Sequence, residues 1–333
     1  MSKDYISDNV GSDASQGVEL PARGDIAELF SLAEFSETQA EMTGYSDYSY
    51  WGSTITMFFR KKLAVAILLL LVSLLAFTFI QPYLPNQLDP TRIYFSSTGG
   101  FIRNNTPNST HWFGTNAVGQ DLWARIWSGT RTSMMIALIV ASWDLIVGII
   151  FGALWGYVRQ VEAAFEAIYN VLNNVPSTVI HILLSYIMRP SMSTMIFAFC
   201  ITGWVPTARY VRNQIMIIRD REYNLASRCL GTPTSRLITR NMLPHLVSVL
   251  TLRFAMSIPA TITSELTLTY VGLGLPISIP SLGNLVGEGR AVMMDTRLRY
   301  QLFFPCAVVC LIAISFYLIG NAFSDAADPR NHV

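Results

Sequence analysis

Residues 63–80 run for eighteen positions with only Ser73 and Thr78 polar. A helix of about 20 apolar residues crosses the hydrocarbon core of a bilayer. Lipid offers backbone amides no partner, so such a stretch must bond its own N–H and C=O groups, as a helix or a closed barrel does. The run is continuous rather than alternating, which selects the helix. Further apolar runs occupy residues 134–157, 192–211, 246–275 and 302–323, with a weaker one at 163–187. The expected fold is an all-α integral membrane protein with about six transmembrane helices. Charged residues make up 14% of the chain, against about a quarter in soluble domains.

Charge is unevenly placed along the chain. The first 50 residues carry ten acidic and two basic side chains, although the whole chain has a net charge of +1. Residues 1–58 read as an acidic, solvated cytoplasmic tail, without the basic start and apolar core of a signal peptide. Leu29, Phe30, Leu32 and Phe35 offer one short amphipathic turn within it. Arg60, Lys61 and Lys62 accompany the first span (59–81) and hold the N-terminus inside. By alternation, the polar stretch 82–130 lies outside. A core at 131–324 contains the other spans, and residues 325–333 form a short tail. Arg212, Arg219, Arg221, Arg228, Arg236 and Arg240 crowd between the fourth and fifth spans, which places that loop and both termini in the cytoplasm.

Several polar groups fall inside the spans. Gly148, Gly152 and Gly156 share one helical face and allow close backbone approach. Asp144 is an intramembrane acid that needs a partner or water. The third span carries Glu166, Asn170, Asn173, Asn174, Pro176 and His181, which suits a bundle interior or an aqueous path. His181 reads as a hydrogen-bonded interior group. Arg253 and Glu265 lie twelve residues apart, about 18 Å along a helix, and so need separate partners. Arg253 can snorkel to the near end. For Glu265, a structural bond between helices and a pathway role stay equally open.

The basic loop has its own internal pattern. Residues 225–230 read as the end of a short helix, and Gly231 as the left-handed residue that closes it. Thr232 is the expected cap of a second helix, with Pro233 in its first turn, Leu237 and Ile238 on its apolar face and Pro244 at its end.

This helix-turn-helix resembles the EAA coupling loop of ABC-transporter permeases. Ala226, Ser227, Gly231, Leu243 and Pro244 fall in that pattern within a coupling segment 216–244 that also includes Tyr223; Leu225 replaces the family's Glu and Ser227 its second Ala. A second stretch, residues 113–121, is similar to an outer-loop signature of the dipeptide and oligopeptide importers. Gly114, Thr115, Gly119 and Asp121 match it, while Asn116 and Gln120 replace a charged Asp and Arg. Glu265, residues 281–290 (with Leu282 in place of Trp) and the terminal Asp328-Pro329-Arg330 also resemble that branch. The resemblance extends over roughly residues 60–330.

The resemblance implies a type I ABC importer permease fold in a bacterial inner membrane. It implies a second homologous permease subunit, two cytoplasmic ATPases carrying ATP and magnesium, and an extracytoplasmic peptide-binding protein. Membrane lipid surrounds the chain and no nucleic acid is expected. The cytoplasmic loop would enter a cleft on the ATPase and transmit its stroke, and Asp144, Asn174, Arg253 and Glu265 would be candidates along the translocation path. The same branch is similar to importers of nickel and other small cargo.

The chain has no Gly-x-x-x-x-Gly-Lys-Ser/Thr phosphate cradle, no His-Glu-x-x-His and no Gly-x-Ser-x-Gly. Its four cysteines show no metal-ligand spacing and read as small buried hydrophobes. No catalytic constellation, cofactor site or metal site is expected, so the chain is not expected to be an enzyme. Two other classes stay open: an ion-coupled transporter using Asp144, Glu166 and Glu265, and a membrane scaffold using the acidic tail.

Overall fold

The computed structural model describes residues 50–95 and 100–327. The acidic tail to residue 49, its turn around Leu29 and Phe35, and the Asp328-Pro329-Arg330 terminus lie outside the described residues. Helix α1 (Tyr50–Arg60) is followed by α2 (Lys62–Ile80), and α3 spans Leu122–Tyr157. Next come α4 (Arg159–Asn174), α5 (Ser177–Met188), α6 (Met192–Arg219) and the short α7 (Glu222–Cys229). One long helical segment, α8, runs Thr234–Tyr270 and is followed by α9 (Leu282–Ala291) and α10 (Tyr300–Ala327). Among the described residues, four helices (α2, α3, α8, α10) are long and apolar enough to cross a membrane, or five if α4 and α5 count as one bent span. The remaining expected span lies inside α6, whose buried face includes Thr194 and Thr202.

Helix α3 is the axis of the bundle. At 36 residues it is about 54 Å long. It packs most extensively along α6, and α8 packs between α3 and α10. The α3–α6 approach is close because Gly148, Gly152 and Gly156 face α6: a Cβ on Gly152 would lie 2.4 Å from the Ala208 carbonyl oxygen. One core cluster gathers Met134, Ala137 and Ala141 of α3 with Ile258 and Ile262 of α8 and Ile312 of α10. The N-terminal end of α3 carries the loop 82–121, while its C-terminal end meets the basic loop, where Arg219 donates to the Gly156 carbonyl over 2.9 Å. The two loops therefore sit at opposite ends.

The elements differ from the sequence expectation at four places. Residues 50–58, assigned to the tail, belong to α1. Acidity averaged over the first 58 residues hides an apolar edge, on which Phe58 packs against Phe323 with ring centroids 5.8 Å apart. Lys61 then pairs with Asp325 at 3.2 Å, tying the start of α2 to the end of α10. The second expected span and the loop before it divide at Leu122, not at 131–134, because Asp121 caps α3 by accepting from the Ala124 amide over 2.8 Å. Arg125, in the first turn of α3, is buried and its charge is neutralised by Glu288, far along the chain. The third span does break where Pro176 stands: it is bent by 76° at Val175–Pro176, where proline removes a helical donor. The last loop, 276–301, contains the helix α9.

Pro244 does not end its helix. A π turn at Leu237–Met242 and a 3₁₀ turn at Leu243–Leu246 absorb the lost N–H, and the chain continues into Val247–Tyr270.

Candidate functional site

The basic hairpin is built from two closing devices. Gly231 has φ +78° and nothing within 4 Å of where a Cβ would stand, so backbone handedness rather than crowding requires glycine there. The Gly231 amide donates to Arg228 O at 3.0 Å and the Thr232 amide to Ser227 O at 3.1 Å, the paired bonds of a Schellman ending. Thr232 is thus committed to the preceding helix. Pro233, not Thr232, occupies the cap position of the next helix, with ψ 147° and no side-chain capping bond. Its carbonyl accepts from Arg236 and Leu237 at 3.0 and 3.1 Å.

Asn224, which the motif comparison passes over, pins the hairpin. It is fully buried, donates to Ile218 O at 2.9 Å and accepts from Asn241 Nδ2 at 3.3 Å. Its partner Asn241 stands seventeen residues on, and nothing local in the sequence joins the two. The apolar side of the second arm of the hairpin (Ile238, Met242, Leu246) is buried against α3 and α6, together with Val211 and Ile215, and Leu237 is buried too. The other side stays open: Tyr223, Leu225, Ala226 and Leu230 are exposed, Leu230 by 86%. Pro244 is exposed, while Ser227 and Leu243 are half-buried. The hairpin therefore presents an apolar knob with arginines around it.

The opposite end gathers segments far apart in sequence. Gly114 and Gly119 both have positive φ and shape the turn 113–121. Asn116 Oδ1 accepts from the amides of Val118 and Gln120 at 3.1 and 2.9 Å, and Asn116 Nδ2 donates to Gln120 Oε1 at 3.1 Å. The two neutral replacements in the signature thus touch each other. Glu288 of α9 accepts from Asn116 at 3.0 Å and pairs with the fully buried Arg125 at 2.6 Å. Arg125 also donates to Gln120. Thr115 lies under Tyr300 and Gln301, which donate to its carbonyl at 2.8 and 3.2 Å. Asp121, besides capping α3, lies 2.8 Å from His111 Nδ1, both buried. On the exposed side of the same loop, the Thr91 hydroxyl and amide bond Asp89 at 2.6 and 2.7 Å and hold its carboxyl below the usual carboxylate range.

The four intramembrane candidates do not form one site. Glu265 is buried at the start of α9 and accepts from the Gly283 amide at 3.2 Å, so it satisfies a free helical donor. Asp144 is buried where a Cβ on Gly203 of α6 would come within 2.4 Å, and Ser257 of α8 donates to it at 3.4 Å. Arg253 is exposed, its guanidinium 4.7 Å from the Tyr210 ring. Asn174 is exposed at the last residue before the bend. His181 lies 2.7 Å from Thr202 Oγ1 and edge-on to Phe199. Glu166, with Glu162, pairs with Arg212 at 3.3 and 2.8 Å.

Comparisons with known proteins identify the family of the chain. Residues 145–333, more than half of the chain, match the family described as binding-protein-dependent transport system inner membrane component. Residues 49–98 match the N-terminal TM domain of oligopeptide transport permease C. The oligopeptide transport system permease protein AmiD of Streptococcus pneumoniae is 35% identical over 92% of this chain and 98% of its own length. In Bacillus subtilis, the oligopeptide permease protein OppC is 31% identical over 91% of this chain and 97% of its own length. The dipeptide permease protein DppC of the same organism is 31% identical, over 91% and 93%. With these matches along nearly its whole length, the chain belongs to the binding-protein-dependent transport system inner membrane component family, the permeases of ABC importers.

Proposed function

We infer that this chain is a permease subunit of an ATP-driven importer of oligopeptides or dipeptides in a bacterial inner membrane. The observation that carries the energy-coupling part is the hairpin at Glu222–Cys229 and Thr234–Arg236, which holds apolar side chains out of the bundle on a rigid Schellman turn. An exposed apolar knob ringed by arginines suits a cleft on a soluble partner. That partner would be one of two cytoplasmic ATPases, which hold ATP and magnesium. The substrate assignment rests on the names of the relatives.

The complete machine would pair this chain with a second permease and receive peptide from an extracytoplasmic binding protein. With the basic hairpin in the cytoplasm, α1 and the end of α10 lie there too, and the loop 82–121 faces outward. ATP binding would draw the hairpins together and rock the bundle outward, and hydrolysis would reset it. Inverting such an equilibrium takes about 5.5 kcal/mol of differential binding. An ion-coupled mechanism would need its carboxylates along one path. Glu166 is paired with Arg212, Glu265 accepts from the Gly283 amide in the first turn of α9, and Asp144 stands against Gly203.

The test is co-purification in mild detergent followed by uptake in reconstituted vesicles. Wild type should bring down an ATPase and a second permease and take up peptide only with ATP. Gly231→Asp places a charged side chain on the docking surface and in a left-handed backbone, at about 1 kcal/mol or more. It should keep the bundle assembled and abolish ATP-driven uptake. Normal uptake by this variant would refute the coupling role.

A further inference from the structure

At the end of α8 remote from the hairpin, a cleft of about 380 Å³ opens between that helix and α9, lined by Thr269, Tyr270, Gly272, Asn284, Glu288 and Arg290. Its walls are fixed. The α8 helix closes on Gly272 at φ +83°, with the Leu273 amide bonded to Leu268 O at 2.9 Å. The Asn284 amide group donates to the carbonyls of Leu275, Pro276 and Ile279 at 3.0, 3.2 and 3.2 Å, holding the far wall.

The charges in this cleft do not cancel. Glu288 is neutralised by the buried Arg125 at 2.6 Å. Among the described residues no carboxylate pairs with Arg290. Its guanidinium lies 3.9 Å from the centroid of the Tyr270 ring and donates to the Tyr270 hydroxyl at 3.0 Å. Stacking on an aromatic face and a single hydrogen bond set the plane of a guanidinium and leave most of its donors free. A preoriented, exposed cation in the wall of a small cleft fits a planar anion, which guanidinium binds bidentately.

We propose that this cleft binds the terminal carboxylate of a peptide at the outer end of the permease, with Arg290 as the recognising group. The proposal rests on the peptide-importer reading and deepens it. A cleft of this size encloses a chain terminus, whereas a flat arginine patch would suit the acidic surface of a partner protein.

The complete transporter, reconstituted in vesicles with its binding protein, is given trialanine as the free acid and as the C-terminal amide, and the ratio of the two kcat/KM values is read. Wild type should favour the free acid. Arg290→Gln should reduce that preference about tenfold, the loss expected for a charge-assisted bond of this kind, and Arg290→Lys should retain part of it. An unchanged ratio in Arg290→Gln overturns the proposal, including the case where both rates fall together, which would place Arg290 at a protein-docking surface. Wild type that shows no preference also overturns it. Wild type that takes up neither peptide with ATP overturns the importer reading itself, a result distinct from an unchanged ratio.

Discussion

Asn116 Nδ2 stands 3.0 Å from Glu288 Oε2, joining segments 172 residues apart in the chain. The same carboxylate neutralises Arg125, which is fully buried at the start of α3. One acidic side chain thus fixes the turn 113–121, the first turn of α3 and the helix α9 relative to one another. Removing one partner of a buried ion pair leaves the other uncompensated and costs about 3 kcal/mol or more. Glu288→Ala should lower the midpoint of thermal unfolding in detergent markedly, while the double variant Arg125→Met with Glu288→Met should recover most of the loss. Equal midpoints for the single and double variants would show that Arg125 does not depend on Glu288.

Two glycines predict opposite sensitivities. At Gly152 the obstacle is space, since a Cβ would meet the Ala208 carbonyl at 2.4 Å. At Gly231 it is handedness, with open surroundings at φ +78°. Gly152→Ala should separate α3 from α6 at about 1–3 kcal/mol and reduce the thermal midpoint. Gly231→Asn, a residue that tolerates the left-handed region, should be milder than Gly231→Val. Comparing thermal midpoints and ATP-driven uptake across the four proteins checks both halves.

Asn224 is the internal staple of the hairpin. Asn224→Ala removes its bonds to Ile218 and Asn241 and leaves buried groups unsatisfied, worth about 1–3 kcal/mol locally. Amide hydrogen exchange should quicken across residues 222–246 while α3 and α10 keep their protection, and ATP-driven uptake should fall. Unchanged exchange in that segment would remove Asn224 from its assigned role.

Asp121 does two jobs that substitution can separate. Asp121→Asn keeps an oxygen for the Ala124 amide and gives up the charge beside His111, whereas Asp121→Ala loses both. Losing an N-cap costs about 1 kcal/mol, so the alanine variant should unfold at the lower temperature. Proteolysis of the loop 82–121 should follow the same order.

The spans at residues 63–80 and 302–323 are legible because lipid imposes a simple requirement, continuous apolar length. The left-handed turn at Gly231 is legible for a similar reason: few residues take that backbone, so a glycine between two short helices has one reading. The start of α3 is harder to read, since the Arg125–Glu288 pair that neutralises its buried charge joins residues 163 apart in the chain. Pro244 looks like a stop because its missing N–H is a local fact, while the π and 3₁₀ turns that accommodate it depend on packing by Leu237, Met242 and Leu246.

Sequence alone determined the class of the molecule, the number and order of its apolar runs, and the basic hairpin between two of them. Each of these follows from residues close together in the chain. Only the tertiary structure decided which polar groups meet: Asn116 with Glu288, Glu265 with the first turn of α9, Asp144 with Gly203, and Arg290 with Tyr270. In a helical bundle, side chains pair across helices whose register is set by packing. Which buried charge finds its partner is therefore a property of the assembled bundle and not of any one segment.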